Sequence, residues 1–189
     1  MTAAKEQIWL ACRDKTCCYA PLVIPTGRDV WRITQALGVP PWSFLSYFVT
    51  REPRRDAFVL DHSGRAFRLA LAKGPSRRKQ PPCVFLMKTR DGAHRCGLGD
   101  LRPSVCRAFP TEVADGLICV RPDSGCTCRV WSLADVDLAE ERALVEQRQA
   151  NAEEYCQVVA GWNAHVEAAG AEARFDFLDY CRFLMQAYA

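Results

Sequence analysis

The sequence predicts an α+β fold that is mainly helical, and three patterns carry that expectation. Thr26-Gly27-Arg28-Asp29 is a capping box at a helix start, and Gly38 stands where that helix would end. Short runs of β-branched and aromatic residues, bounded by turn residues, fill the middle of the chain. From Ser132 the composition shifts to Ala, Glu, Leu and Val, with apolar residues at helical spacing.

In chain order, residues 8–25 open with a short apolar stretch and pass into a cysteine-rich loop or helix start. The helix capped by Thr26 carries Val30, Ile33, Thr34 and Leu37 on one face. Pro40-Pro41 separates it from a second short helix expected over Trp42 to Phe48, with Phe44, Leu45 and Phe48 apolar. The two form a helical hairpin. Its second member is aromatic rather than basic, which argues against a DNA-reading helix-turn-helix. Ala57 to Leu60 and Ala66 to Leu71 are strand candidates joined by the turn Asp61-His62-Ser63-Gly64. Val84 to Met87 and Leu117 to Val120 are further strands, and Ser76 to Pro82 is a basic, proline-ended loop. Pro103 suits the first turn of a short helix carrying Cys106. A long helix, with room for one break, runs from Ser132 to about Gly170, and an amphipathic helix follows from Phe175 to Tyr188. The expected organisation is a domain over residues 1–130 with a helical section, 131–189, packed on it.

A chain of 189 residues, 49% hydrophobic and 25% charged, can build a real core. The net charge of +3 gives no reason to expect nucleic acid or an anionic membrane as a partner. The N-terminus lacks the apolar core of a secretory signal, and no run approaches the ~20 apolar residues of a membrane span. The expected location is cytoplasmic. Thiols there stay reduced, so eleven cysteines, an odd number, point to metal binding or redox chemistry rather than disulfides.

Cys83, Cys96 and Cys106 are not spaced as C-x2-C zinc knuckles or as a ferredoxin run. Pro82 fixes the approach to Cys83, and Asp91-Gly92 turns the chain before Cys96. Arg102 and Arg107 flank Cys106; their charge favours the thiolate and would compensate an all-thiolate centre, which makes them the candidate cofactor-binding residues. Adjacent Cys17 and Cys18 serve two irons of a cluster more easily than one ion. The candidate metal ligands are Cys12, Cys17, Cys18, Cys83, Cys96, Cys106 and Cys126, with Asp14 and Cys128 open. Cys119 reads as core, and Cys156 and Cys181 as helix packing. His94 reads as a solvated loop residue, His62 lies in a turn and His165 on the long helix. No Ser-His-Asp set or phosphate loop can be assembled, so no catalytic residue is named.

The order C-x-F-L, then C-x5-R-P-x-x-C-R-x-F-P, runs from Cys83 through Cys96 to Pro110, after a cysteine-rich N-terminal element. This resembles the YkgJ-type cysteine-cluster family, a zinc- or iron-chelating domain related to the flagellin lysine N-methylase. The resemblance covers roughly residues 10–130, and Arg102 to Pro110 is its most specific part. It implies that Cys17, Cys18, Cys83, Cys96 and Cys106 are ligands, with Cys126 a further one, and that a helical hairpin fills Asp29 to Phe48. The family's first motif, C-x-x-C-x-x-C-C, would put its first two thiols at Ala11 and Asp14, so Cys12 is one place out of register. Gly97-Leu98-Gly99 stands where the family has an aromatic residue.

The leading expectation is an iron–sulfur cluster, [4Fe–4S], held by the N-terminal and central cysteines. The alternatives are a structural zinc module acting through a protein partner, and a protein-lysine methyltransferase-like enzyme suggested by the relative alone. Redox sensing by Cys17-Cys18, beside Arg13 and Lys15, is a fourth reading.

Overall fold

Proline and β-branched residues decide where this chain departs from helix. A computed structural model describes residues 3–12, 15–19, 22–75, 80–122 and 132–189. Its helices are α1 (Ala3–Ala11), α2 (Thr16–Tyr19), α3 (Gly27–Leu37), α4 (Ser104–Ala108), α5 (Leu138–Ala168) and α6 (Phe177–Ala187). Its strands are β1 (Leu45–Thr50), β2 (Phe58–Val59), β3 (Ala66–Leu71), β4 (Leu86–Lys88), β5 (His94–Cys96), β6 (Thr111–Ala114) and β7 (Leu117–Val120). The fold is α+β, with short antiparallel sheets. Among the described residues no helix is long and apolar enough to cross a membrane.

The chain divides into two units that interleave along the sequence. One comprises Met1–Val23 with Lys73–Gln149, the other Ile24–Ala72 with Ala150–Ala189. The boundary read at 130/131 lies outside the described residues, as do residues 76–79 of the basic loop.

The second unit follows the capping box. Thr26 caps α3: its hydroxyl accepts the Asp29 N–H, and the Asp29 carboxylate accepts the Thr26 N–H at 3.0 Å. Gly38 ends the helix in the left-handed conformation, φ 64°, donating to the Thr34 carbonyl. Val30 and Ile33 are buried as expected, whereas Leu37 is 43% exposed, so the apolar face ends a turn early. The expected second helix is absent. Pro41–Ser43 makes a single 3-10 turn, and Leu45–Thr50 is strand β1. Tyr47-Phe48-Val49-Thr50 is a run that packs on a pleated sheet better than on a helix. It pairs antiparallel with β3 in a full register, Leu45 opposite Leu71 through Thr50 opposite Ala66. The helical hairpin is thus a helix followed by a strand, and the helix-turn-helix likeness goes with it.

The sheet order is β1-β3-β2, with the apolar β3 in the centre. The β2–β3 turn forms where expected: Asp61 accepts the Ser63 N–H at 2.8 Å and Gly64 takes φ 76°. Side chains of α5 satisfy backbone groups on β2. Asn163 accepts the Val59 N–H and donates to the Ala57 carbonyl, both at 3.0 Å, while the Trp162 indole donates to Val59. Above this sheet Phe58 stacks on Tyr180 at 3.9 Å, and Trp162 meets Tyr180, Phe175 and Phe183 edge-on. The α5 helix is unbroken over its 31 residues. The final helix starts with a second capping box, Asp176 with Asp179.

The first unit is built differently. Its elements are α1, α2, α4, two hairpins (β4–β5 and β6–β7) and the first turns of α5. Among its described residues the buried apolar side chains are Val23, Cys83, Leu98, Pro103, Ala108, Pro110 and Val145. Buried polar ones stand beside them: Lys5, Lys15, Arg102, Ser104, Thr111 and Glu141. Lys5 donates to Glu141 at 2.6 Å and Thr111 donates to the same carboxylate at 2.8 Å, which ties α1 and β6 to α5. Burial lowers the Lys5 pKa, against the raising effect of the Glu141 partner. Removing one member of a buried pair strands the other in a poor dielectric. Glu141→Ala is therefore expected to cost about 3–5 kcal/mol of stability in urea unfolding. A loss below about 1 kcal/mol would show that this pair does not hold α1 in place.

Candidate metal centre

Backbone hydrogen bonds link the segments that carry Cys18, Cys83 and Cys96 in the first unit. Cys17 and Cys18 lie on α2, whose first turn is closed by the Cys18 N–H on the Lys15 carbonyl at 2.7 Å. The Cys83 N–H then donates to the Cys18 carbonyl at 2.7 Å, setting the second thiol segment against the first. Lys73 reinforces this junction: it forms an antiparallel bridge with Cys83, and its ammonium donates to the Tyr19 carbonyl at 3.2 Å.

Cys83 to Leu86 is a turn rather than strand, with the Leu86 N–H on the Cys83 carbonyl, so β4 begins two residues later than expected. Asp91-Gly92 turns the chain as anticipated, Gly92 taking φ 82°, and the hairpin register sets Cys96 opposite Leu86. The Gly97 N–H donates to Phe85 at 2.8 Å, which closes the hairpin base beside Cys83. Beyond Leu98 and a 3-10 turn, Pro103 caps α4 and accepts the Cys106 N–H at 2.8 Å.

Five thiols on four segments feel one another. The Cys17 and Cys18 sulfurs are 3.9 Å apart. The hydrogen bond to Cys17, then burial, then the charges of Cys17, Cys106 and Cys96 push the Cys18 pKa upward. Burial raises Cys83 and Cys96, with further pressure on Cys83 from Cys17 and on Cys96 from Cys83 and Cys17. Cys17 goes the other way, to about 7: the Cys18 hydrogen bond is the main cause, burial opposes it and Lys15 assists. A thiolate and a thiol side by side share one proton, so one member ionises early and the other late.

Cations bear on three of these thiols. Lys15 favours the thiolate at Cys17, Lys73 at Cys83 and Arg102 at Cys96. Arg102 is 3% exposed; it donates to the Gly99 carbonyl at 2.7 Å and pairs with the Glu6 carboxylate. Arg107 stands beside Cys106 on α4, half-buried. The Lys15 ammonium and the Arg102 guanidinium lie 3.9 and 4.5 Å from the Trp9 ring centroid, and neither Trp9 nor Lys73 stood out in the sequence. No spacing links Lys73 to Cys83 until the bridge between them is seen.

Other candidates fall elsewhere. Cys12 follows α1, its N–H on the Ile8 carbonyl, and is half-buried. Asp14, Cys126 and Cys128 lie outside the described residues. Cys119, read as core, is half-buried on β7, a hairpin strand with exposed neighbours Leu117 and Val120. Cys181 is fully buried in α6, as expected of a packing residue, and Cys156 is half-buried on α5. His94, read as a solvated loop residue, is half-buried in β5, with its Nε2 3.5 Å from the Tyr19 hydroxyl.

Among the described residues no three His, Cys, Asp or Glu side chains are grouped as the ligands of one ion. This chain matches no protein-family profile, no curated protein and no solved structure.

Thiolate character selects the thiol that alkylates first. In metal-free protein, iodoacetamide should modify Cys17 with a rate that climbs through pH 7. Peptide mapping that finds Cys17 labelled no faster than Cys83 or Cys96 at pH 7 would contradict the sharing of one proton by the vicinal pair.

Proposed function

We propose that this chain binds a cysteine-ligated metal centre, an iron–sulfur cluster of the [4Fe–4S] kind, with ligands drawn from Cys17, Cys18, Cys83, Cys96 and Cys106. The observation that carries the reading is the interior of the first unit. A unit of roughly 100 residues ordinarily draws its stability from buried hydrocarbon. This one buries few apolar side chains among its described residues; Cys83 and the cations Lys5, Lys15 and Arg102 are buried beside them, with Cys17, Cys18, Cys96 and Cys106 half-buried. Small scaffolds with too little core are commonly stapled by metal. The motif Arg102 to Pro110, with its likeness to the cysteine-cluster family, supports the same reading.

The irregular sequence spacing of the thiols, without paired C-x2-C knuckles, favours a cluster over one ion. A tetrahedral zinc site with Zn–S near 2.3 Å needs thiolates about 3.8 Å apart. In a cluster each thiolate binds a different iron, so the ligands stand wider. The main-chain hydrogen bonds that link the Cys18, Cys83 and Cys96 segments support that reading. The 3.9 Å spacing of Cys17 and Cys18 is the feature that favours the second reading, structural zinc, because it matches the edge of a zinc tetrahedron. A bound cluster would supply one-electron chemistry. The chain's own part is to present thiolates, bury them and offset their charge through Arg102, Lys73 and Lys15. Five thiols exceed four cluster positions, so one of the vicinal pair is a neighbour rather than a ligand. The proposed setting is a reducing compartment, the cytoplasm, where such thiols stay available.

The test compares two cysteines of opposite assignment. Cys106→Ser should lose most of the bound metal and lower the unfolding midpoint, while Cys181→Ser should keep the metal even if its buried site is perturbed. Equal metal content in the two variants would sink the assignment.

A further inference from the structure

We propose that strand β1 is a docking edge for a second copy of this chain: two β1 strands pair antiparallel about Tyr47 and join their sheets into one. The phase of the β1–β3 ladder shows which main-chain groups are left over. The Ala72 N–H donates to the Phe44 carbonyl at 2.8 Å, one step beyond the Leu45–Leu71 pair. Antiparallel bonding alternates, so Ser46, Phe48 and Thr50 turn their main-chain groups to β3, while Leu45, Tyr47 and Val49 turn theirs outward. Among the described residues no hydrogen bond reaches the outward groups of Tyr47 and Val49. These residues are 44% and 55% exposed. They stand at the rim of the aromatic core, the Tyr47 ring centroid 4.6 Å from that of Phe177 and 5.4 Å from that of Phe67.

The two edges of this sheet differ. At β2, Asn163 and Trp162 bond the main chain of Ala57 and Val59 and close that edge. Strand β1 has none of the usual protections, since Leu45 to Thr50 contains no proline and no charge. With β2 closed and β1 open, pairing ends at two copies and does not grow further. The edge is also complementary to itself. With Tyr47 opposite Tyr47, Leu45 faces Val49 of the other copy, and the outward N–H and C=O groups of all three residues are paired. A parallel pair would set the exposed Arg51 beside Arg51 of the other copy. The antiparallel pair sets it opposite Ser43, next to the exposed indole of Trp42, where a guanidinium is favourable.

The experiment measures the mass of the full-length chain by light scattering over a wide range of concentration, with amide exchange read along β1. The expected result is a monomer–dimer equilibrium in which the Tyr47 and Val49 amides exchange more slowly as dimer forms, while Phe48, already bonded to β3, is unchanged. Val49→Pro removes an N–H that the single chain does not use and should weaken the dimer about tenfold. Phe48 before it is already extended, as a following proline requires. Tyr47→Lys and Tyr47→Glu should each weaken the dimer about fivefold by setting like charges opposite each other, and an equimolar mixture of the two should restore it. That rescue does not depend on Val49→Pro folding, and a chain that is merely destabilised would not show it. A wild-type chain that stays monomeric at every concentration would overturn the proposal and leave the edge to a strand of another protein. A dimer whose Tyr47 and Val49 amides exchange at the monomer rate would overturn it too, as would a mixture that pairs no better than Tyr47→Lys alone.

Discussion

Hydrocarbon is unevenly shared between the two halves of this fold, and most of its other features follow from that. One unit wraps Phe58, Trp162, Tyr180 and the strand Ala66–Leu71 into an aromatic and aliphatic core that needs no further support. The other is assembled from short hairpins, single turns and two-turn helices, none of which could fold alone. Its interior holds the Cys83 thiol, a Lys–Glu–Thr cluster and two cations on one indole. Polar interiors are stable only when every member is satisfied. The proposed centre would tie several of these segments at once, and its thiolates would carry charge of the sign opposite to the cations.

This arrangement also explains why segments remote in sequence meet. Cys17 and Cys18 are joined to Cys83 through a main-chain hydrogen bond, and Cys83 is joined to Cys96 through the base of a hairpin. Main-chain bonds hold the segments whether or not the thiols are engaged. The thiols are then free to adjust by side-chain rotation when a centre is bound. The cations are placed before it arrives, so part of the electrostatic cost of gathering thiolates is met by the fold itself.

Local chemistry was legible wherever one residue dictates one conformation. The Thr26–Asp29 capping box, Gly38, the Asp61–Gly64 turn, Asp91-Gly92 and Pro103 all stand where the sequence places them. Trp42 to Phe48 was misleading because its apolar residues satisfy helical spacing and alternation alike; pairing with β3, a tertiary event, decided for strand. Strands β5 and β6 are three and four residues long, below what periodicity can resolve. For the proposed centre, residue type and compartment pointed to cysteines in general, and the narrower set Cys17, Cys18, Cys83, Cys96 and Cys106 is what the family resemblance implies. Lys73, Trp9 and the depth of Lys15 were not legible, since they depend on which segments cross. His94 was misread for the same reason: its hairpin partner lies across the turn.

The most direct test is chemical analysis of wild-type protein purified without oxygen, for iron, acid-labile sulfide and zinc, with its visible spectrum. The expected result is brown protein with iron and sulfide in equal amounts. Colourless protein with zinc and no sulfide would contradict the cluster and leave a thiol-bound zinc. Protein with neither metal would contradict the central claim, that bound metal takes the place of a hydrocarbon core in the first unit.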